Sequence, residues 1–338
     1  MATESLNMPA LDRIAITGSS GTYGRAIIRE IRRTLPHARM LGLDRRPVTC
    51  SETDLFWQGD IRSPEMAAVI GDFRPDTVIH LAYAVQPGRD LRAMESINVD
   101  GTRTVLAAAA ACNAARLLVA SSGTVYGAWP DNPPVCDERT PIRPRSDYYY
   151  SHHKGIVERD VSEFAASHPE MVVSWTRPAI ICGPGVRNFL TDIFLTMPCM
   201  VLPDGRDTPL QFVHEDDVAR GTLAILTSGG RGPFNIAPED SLTQRQLADA
   251  MGIPAIPLPF FAVNAIARLW WMLRLPWIAT PPGLAHYLRH PWVMTSRRLT
   301  DECGFRCTHS SWRAFRTLLK PSDGVDSHSV RARRQADS

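Results

Sequence analysis

A glycine-rich turn near the start of the chain constrains the fold more than any other feature. It reads TGSSGTYG, follows the short β-branched run Arg13–Thr17, and leads into a helical pattern from Tyr23 to Leu35. A strand, a turn and a helix are therefore expected in that order. The three glycines, Gly18, Gly21 and Gly24, suit in that order a tight turn, close approach of the backbone to a pyrophosphate, and close helix–strand packing. Amides at the helix start, helped by the helix dipole, bind such an anion. The turn predicts a dinucleotide site formed by Gly18, Ser20, Gly21, Thr22, Tyr23 and Gly24.

An acidic residue follows this turn at the distance that a dinucleotide site requires. Asp44 closes the next short apolar run, about 20 residues beyond the last glycine, where a carboxylate can accept hydrogen bonds from ribose hydroxyls. It would repel a 2′-phosphate, so NAD is predicted in preference to NADP. Arg45 and Arg46 can hold that phosphate if they turn inward, which keeps NADP as the less favoured alternative. Asp60 is either a partner for the adenine amino group or a solvated loop residue.

Short apolar runs alternate with helical patterns through the first half of the chain. The runs at 40–43, 77–81, 117–120 and 171–175 are separated by helical patterns near 64–70, 94–112 and 151–166. This alternation is typical of an α/β, Rossmann-type doubly wound parallel sheet with right-handed crossovers. Beyond Trp175 the alternation weakens and proline and glycine clusters appear, which indicates a smaller, mostly C-terminal substrate-binding region. The expected division is an N-terminal arm (1–12), a dinucleotide-binding domain (13–178, with 211–237 returning to it), a substrate-binding region (179–210 and 238–320) and a disordered tail (321–338).

Composition narrows the range of partners. The chain has 338 residues, of which 44% are hydrophobic and 21% charged, as expected of a folded globular protein. Its formal net charge of +2 gives no reason to expect a nucleic-acid partner, so a small-molecule substrate is predicted. Seven cysteines without CxxC pairs fit neither a disulfide framework nor a zinc site, and no histidine cluster predicts a metal. With no apolar run of signal-peptide length at the N-terminus, a reducing, cytoplasmic setting is expected.

One apolar segment stands out in the C-terminal half. Residues 259–276 read PFFAVNAIARLWWMLRLP, fall short of the ~20 apolar residues of a membrane span, and are interrupted by Asn264, Arg268 and Arg274. An amphipathic helix is predicted, without a transmembrane span. Its aromatic residues fit three roles: core packing, the lining of a pocket for an apolar or polycyclic alcohol or ketone, or peripheral contact with a membrane.

Several motifs together resemble the extended short-chain dehydrogenase/reductase family, whose members are often catalogued as NAD-dependent epimerase/dehydratases. Besides TGSSGTYG they are HLAY, NVDGT, SSGTVYG and YSHHK, in the family's order from Thr17 to about Val218. The resemblance implies a Rossmann domain followed by a substrate region, and often a homodimer formed through two helices. It also implies cofactor contacts from Asp44, Arg45, Asp60, Ile61, Leu81, Ala82, Tyr83, Asn98, Tyr150 and Lys154, and substrate contacts from Ala84, Thr124, Arg187 and Phe189.

The YSHHK motif contains the candidate catalytic residues Tyr150 and Lys154. Hydride transfer from an alcohol needs a group that moves the hydroxyl proton, and bringing a tyrosine pKa from about 10 to about 7 takes about 4 kcal/mol of phenolate stabilisation. Tyr150 and Lys154 are four residues apart on a predicted helix and share a face, whereas Tyr148 and Tyr149 have histidines at that offset. The resemblance assigns catalysis to Ser122, Tyr150 and Lys154, with Lys154 also binding the nicotinamide ribose. Ser122 would orient the reacting oxygen at the carboxyl edge of the sheet.

The substrate region departs from the nucleotide-sugar enzymes of this family. Leu210 stands where an arginine commonly grips a diphosphate, and losing such a contact would sacrifice roughly 1.5–3 kcal/mol. Arg187 and Arg206 can substitute for it. The prediction is an NAD(P)-dependent oxidoreductase that interconverts a secondary alcohol and a ketone on a partly apolar, non-nucleotide substrate. A nucleotide-sugar epimerase that retains NAD and a non-catalytic NAD-sensing regulator are the alternatives.

Overall fold

Seven parallel strands organise the chain, which is described by a computed structural model over residues 11–47, 52–88, 90–273, 281 and 283–319. The strands are β1 (Arg13–Thr17), β2 (Arg39–Asp44), β3 (Leu55–Gln58), β4 (Thr77–His80), β5 (Arg116–Ala120), β6 (Val172–Pro178) and β11 (Gly232–Ile236), in the spatial order β11-β6-β5-β4-β1-β2-β3. All six neighbouring pairs are parallel. The order reverses at β1, so a crevice opens between the carboxyl ends of β1 and β4.

Helices cover both faces of this sheet. They are α1 (Thr22–Thr34), α2 (Pro64–Phe73), α3 (Leu91–Glu95), α4 (Gly101–Ala111), α5 (Tyr149–Ser167) and α7 (Glu215–Ser228). Alternate residues of β1 enter different cores: Ile14 and Ile16 pack on the side of α1, and Ala15 packs on the opposite side. A sheet buried on both faces explains why its strands read as short, continuous apolar runs.

The C-terminal half adds short strands and helices around the carboxyl edge of the sheet. They are β7 (Ile180–Cys182), α6 (Phe189–Thr196), β8 (Met200–Pro203), β9 (Pro209–Leu210), β10 (Phe212–His214), β12 (Leu242–Thr243), α8 (Gln244–Met251), β13 (Ala255–Leu258), α9 (Phe260–Leu273), α10 (His286–Arg289), α11 (Arg297–Cys303) and α12 (Ser311–Leu319). The short strands form three two-stranded sheets, β10-β7, β12-β9 and β13-β8. No described helix is long and apolar enough to cross a membrane.

The predicted α/β doubly wound sheet is confirmed, with one correction to the return of 211–237. The segment rejoins the main sheet through β11, but β10 pairs with β7 in a separate sheet, so the return of residues 211–213 to the main sheet is wrong. The reason is that β11 occupies the edge of the main sheet beside β6. Strand β10 pairs instead with β7, which begins two residues after β6 ends at Pro178. The division into domains otherwise stays a prediction. The disordered tail, all but two residues of the N-terminal arm, and residues 274–276 of the apolar segment lie outside the described residues.

The elements missing from the sequence prediction include an edge strand and a π-helical turn in the dinucleotide-binding half. Strand β3 is a four-residue edge strand whose side chains are only half buried, so it lacks the apolar run that marks the inner strands. The predicted helix at 94–112 contains a π-helical turn at Ser96–Asp100, between α3 and α4. Such turns are often associated with functional sites, and this one carries Asn98.

The first glycine of the turn provides a test of this arrangement. Gly18 has φ +72°, and a Cβ there would lie 2.6 Å from the backbone nitrogen of Ala82, after β4. Gly18→Ala should therefore lower the free energy of unfolding by about 1–3 kcal/mol, through strain and separation of β1 from the β4 loop. Urea denaturation measures the change.

Gly71→Ala in α2 is the matched control, because a Cβ there meets no atom within 4 Å. It should leave stability unchanged or raise it by roughly 0.5–1 kcal/mol. Equal effects of the two substitutions would contradict the close approach at Gly18.

Candidate active site

The turn after β1 forms a cradle of backbone amides at the start of α1. The Gly21 amide donates to the Gly18 carbonyl at 3.0 Å, and a Cβ at Gly24 would collide with that same carbonyl, so only glycine fits there. The Asp44 carboxylate, at the end of β2, accepts from the Ser20 amide at 2.9 Å and from the Arg46 amide at 2.8 Å. This close backbone approach, with a carboxylate beside it, fits the pyrophosphate and ribose of a dinucleotide.

Other residues predicted near the adenosine occupy different positions. Arg46 lies against the turn, with its Nε 3.6 Å from Asp44, whereas the Arg45 carbonyl accepts from Gln58. Asp60 forms an ion pair with Arg62, with a shortest distance of 2.6 Å. Ile61 is buried, and the Tyr23 hydroxyl points into the core to bond Thr222, which leaves the Tyr23 backbone at the turn.

The loop after β4 forms the opposite wall of the crevice and is held by buried polar contacts. Leu81 donates its amide to the Thr17 carbonyl, and Ala82 donates to the Thr17 hydroxyl at 3.4 Å. Asn98 accepts from the Ala84 amide at 2.7 Å and is fully buried, so it fixes the shape of this loop.

His80 belongs to the framework of this wall. Its Nδ1 lies 2.7 Å from the Thr17 hydroxyl and its Nε2 2.9 Å from the Thr102 hydroxyl, which itself donates to the Asn98 carbonyl. Burial, reinforced by the charge of Lys154, lowers the His80 pKa to about 3. The ring is therefore neutral and joins β1, β4 and α4.

Ser122 and Tyr150 meet at the carboxyl end of β5. Ser122 caps the 3-10 turn Gly123–Tyr126, and its Oγ accepts from the Thr124 amide at 3.2 Å and from the Thr124 hydroxyl at 3.1 Å. Both lone pairs of that oxygen are then used, which leaves its proton available for a further partner. Burial raises the pKa of Tyr150, and the hydrogen bond from Ser122 acts in the opposite direction.

Lys154 lies one helical turn beyond Tyr150, with its ammonium buried beside the same strand. Its Nζ donates to the Ala120 carbonyl at 2.7 Å, lies 3.5 Å from the centroid of the Tyr83 ring, and lies 5.9 Å from that of Tyr150. Burial lowers the Lys154 pKa to about 7, while the charge of Glu158 raises it. In this structure Ser122 supplies the interaction that lowers the Tyr150 pKa, and the charge effect of Lys154 on Tyr150 stays a prediction.

Tyr148 and Tyr149, which have a histidine instead of a lysine four residues later, have other partners. The Tyr149 hydroxyl donates to the Val85 carbonyl at 2.9 Å, and Tyr148 is buried edge-on against Tyr287. Tyr83 packs edge-on against Tyr150 and covers the Lys154 ammonium. Of the predicted substrate contacts, Thr124 and Ala84 lie at this site, while Arg187 is exposed and Phe189 begins α6.

A buried ion pair behind Lys154 was missed by the sequence analysis. Glu158 accepts from Ser121 at 2.5 Å, from Trp175 at 3.0 Å and from Arg177 at 2.6 Å, and Arg177 also donates to Tyr126. The signal that would have found it is the spacing, because Tyr150, Lys154 and Glu158 recur every four residues on one helix face. This pair anchors α5 to β5 and β6.

Comparison with known proteins identifies the family. The sequence model of the NAD dependent epimerase/dehydratase family matches residues 14–237. The chain belongs to this family. An uncharacterized protein of Mycobacterium tuberculosis is 28% identical over 289 residues, which are 82% of this chain and 74% of that protein. A 3-diazoavenalumate denitrifying reductase of a Streptomyces species is 24% identical over 89% of this chain and 98% of its own.

Solved structures of the family share the fold. The UDP-glucose 4-epimerase of Thermus thermophilus, in complex with NAD, has a TM-score of 0.70 at 19% identity, covering 93% of this chain and 100% of its own. The dTDP-glucose 4,6-dehydratase of Bacillus anthracis, also with NAD, has a TM-score of 0.68 at 15% identity, covering 91% of this chain and 95% of its own. The Rossmann-type architecture expected from the sequence is thereby confirmed.

The buried lysine predicts a specific pH dependence of stability. A lysine with a pKa near 10.4 when unfolded and about 7 when folded binds more protons in the unfolded state between those values. The cost of burying its charge is present in full below pH 7 and is relieved as the pH rises. Chemical denaturation should show the difference in stability, wild type minus Lys154→Met, increasing from pH 7 to pH 9 by up to about 1.4 kcal/mol per pH unit. A difference that is flat with pH would contradict the assigned burial.

Proposed function

We propose that this protein is an NAD-dependent oxidoreductase that interconverts a secondary alcohol and a ketone at Ser122, Tyr150 and Lys154. The observation that carries the proposal is the convergence of two elements: Ser122 follows the end of β5, and Lys154, one turn beyond Tyr150 on α5, donates its Nζ to the Ala120 carbonyl at that same end. The cradle glycines and the Asp44 carboxylate would hold the dinucleotide. When bound, NAD supplies a nicotinamide carbon that accepts or returns a hydride.

Tyr150, Ser122 and Lys154 would have separate roles in proton transfer, substrate orientation and cofactor binding. In the oxidative direction Tyr150 accepts the proton of the substrate hydroxyl as its carbon loses a hydride, and in the reductive direction Tyr150 returns that proton. Ser122 would donate its single proton to the reacting oxygen of the substrate and hold that oxygen at hydrogen-bond distance from Tyr150. Lys154, fixed by the Ala120 carbonyl, would bind the nicotinamide ribose and favour the phenolate of Tyr150 when protonated.

The surroundings of this site support a partly apolar substrate. The side chain of Met294 packs against Gly123 so closely that a Cβ there would collide with it, and Tyr287 donates to the Thr124 carbonyl at 2.8 Å. Leu210 is buried, while Arg187 and Arg206 are exposed. The absence of an arginine at position 210, with Arg187 and Arg206 both exposed, favours a non-nucleotide alcohol or ketone over a sugar diphosphate. The homodimer implied by the family resemblance is part of the same proposal.

Removal of one hydroxyl tests the proton transfer. Tyr150→Phe should reduce turnover at least a thousandfold while leaving the Kd for NAD within about twofold, because the ring stays and only the proton carrier is lost. NADH absorbance during a screen of apolar secondary alcohols and ketones measures turnover, and calorimetry measures NAD binding. Tyr149→Phe is the control, since it loses only a bond to a backbone carbonyl.

The outcomes of this screen separate the candidates. NADH formation with an apolar alcohol supports the proposal. Isomerisation of a nucleotide sugar without net NADH formation would replace it by an epimerase. NAD binding without turnover of any class, or full activity of Tyr150→Phe, would refute the chemistry.

The hydroxyl of Thr124 allows a finer test of how Ser122 is oriented. Thr124→Val removes one of the two donors to the Ser122 oxygen, so the Ser122 hydroxyl is held less firmly in one orientation. A loss of about 0.5–1.5 kcal/mol is expected, which is a two- to tenfold fall in kcat. Thr124→Ser keeps the donor and should retain activity. Equal effects of valine and serine would show that the methyl group, not the hydrogen bond, matters.

A further inference from the structure

The outer side of α9 is apolar although it faces solvent. Its exposed residues include Phe261, Ala265, Leu269 and Met272, which recur every three or four positions and therefore form one stripe. Phe261 and Met272 are 76% and 69% exposed, values far above those expected of core side chains. Together with the flanking Ile266 and Leu273, these residues are called the outer face of α9.

The other side of the helix is held by the protein, so the outer face has a fixed orientation. The Phe260 amide donates to Asp204 at 2.8 Å, and the Phe260 ring stacks beneath Arg289 at 4.3 Å. Ala267, on the inner side, is buried. Packing of α9 onto the domain therefore leaves the outer face unused.

Charge selects the partner for this face. The apolar segment 259–276 contains Arg268 and Arg274 and no aspartate or glutamate, whereas the whole chain is nearly neutral. Arg268 is exposed at the edge of the outer face, and it forms no ion pair within the described part of the chain. A helix with an apolar face and a basic border binds at the headgroup level of anionic bilayers.

The size of the face argues against a protein partner. Its six side chains come from one helix, and a standard stable protein interface has roughly 20–30 residues on each side. The described part of α9 has 14 residues and is about 21 Å long, shorter than the ~30 Å core of a bilayer and suited to lying in its surface. Insertion of such a helix needs no matching surface, only apolar side chains that reach the acyl boundary.

From these observations we propose that α9 docks this protein onto an anionic membrane surface, with its outer face buried among the lipid headgroups. The position of α9 places the docking surface next to α5. Trp271 lines a surface cleft together with Tyr149 and His153 of α5, the helix that carries Tyr150. Docking through α9 therefore brings this cleft, beside the helix that carries Tyr150, close to the lipid.

Vesicle co-sedimentation tests the proposal on the full-length protein. Vesicles of phosphatidylcholine with about 30% phosphatidylglycerol, whose surface potential is negative, should bind the wild type, and pure phosphatidylcholine should bind it at least tenfold more weakly. Combined Phe261→Glu, Leu269→Glu and Met272→Glu should lower the partition coefficient at least tenfold. Arg268→Gln should weaken binding to the anionic vesicles alone.

Matched controls separate this face from general hydrophobicity. Leu55→Glu and Leu195→Glu replace exposed apolar residues of β3 and α6, and should leave vesicle binding unchanged. Circular dichroism and NAD binding check that each variant is folded. Absence of binding to anionic vesicles would overturn the proposal, as would equal loss in the controls. A concentration-dependent dimer that the triple substitution disrupts would assign the face to a second copy of the chain and also overturn it.

Discussion

The active-site geometry depends on one buried ammonium group. Within the described residues Lys154 has no salt-bridge contact with a carboxylate, and its Nζ donates to the carbonyl of Ala120, at the end of β5. That hydrogen bond fixes the rotation of α5 relative to β5, the strand that leads to Ser122, and thereby sets where Tyr150 lies at the end of the sheet. A buried ammonium without a carboxylate in contact is costly, and here the cost is reduced by a carbonyl, by the face of Tyr83 and by the more distant charge of Glu158. The same burial brings its pKa close to neutrality, where small changes in surroundings alter its charge.

The ion pair of Glu158 and Arg177 acts one turn further along. Glu158 is satisfied by hydrogen bonds from Ser121, Trp175 and Arg177, and its charge acts on Lys154 without a direct contact. Fully partnered buried pairs of this kind specify geometry more than they add stability. The pair connects α5 with β5 and β6, which determines the distance between Tyr150 and the end of the sheet. The site is thus rigid where proton transfer needs fixed distances.

Local patterns predicted the dinucleotide half of the site, and tertiary contacts determined the rest. The glycine turn, Asp44 and the Tyr150–Lys154 spacing could be read from sequence because each depends on neighbours within a strand, a turn or a helix. Tyr23 could not, since its hydroxyl is drawn into the core by Thr222 on α7, roughly 200 positions later in the chain. The pairing of β10 with β7 could not be predicted from sequence either, because it depends on β11 occupying the edge of the main sheet beside β6. Asn98, predicted near the cofactor, holds the Ala84 loop through a contact that sequence could not show, and its cofactor contact stays a prediction.

The covering of Lys154 by Tyr83 connects cofactor binding with catalysis. An ammonium 3.5 Å from a ring centroid is stabilised by the ring, and the hydroxyl of that ring lies 3.4 Å from the Tyr150 carbonyl. A ribose that binds Lys154 must therefore approach beside Tyr83 or displace it. Displacement would exchange a cation–π contact for hydrogen bonds to two hydroxyls, and it would also free the edge of Tyr150 against which Tyr83 packs. Binding of the dinucleotide and exposure of the proton carrier to substrate would then be coupled through a single side chain.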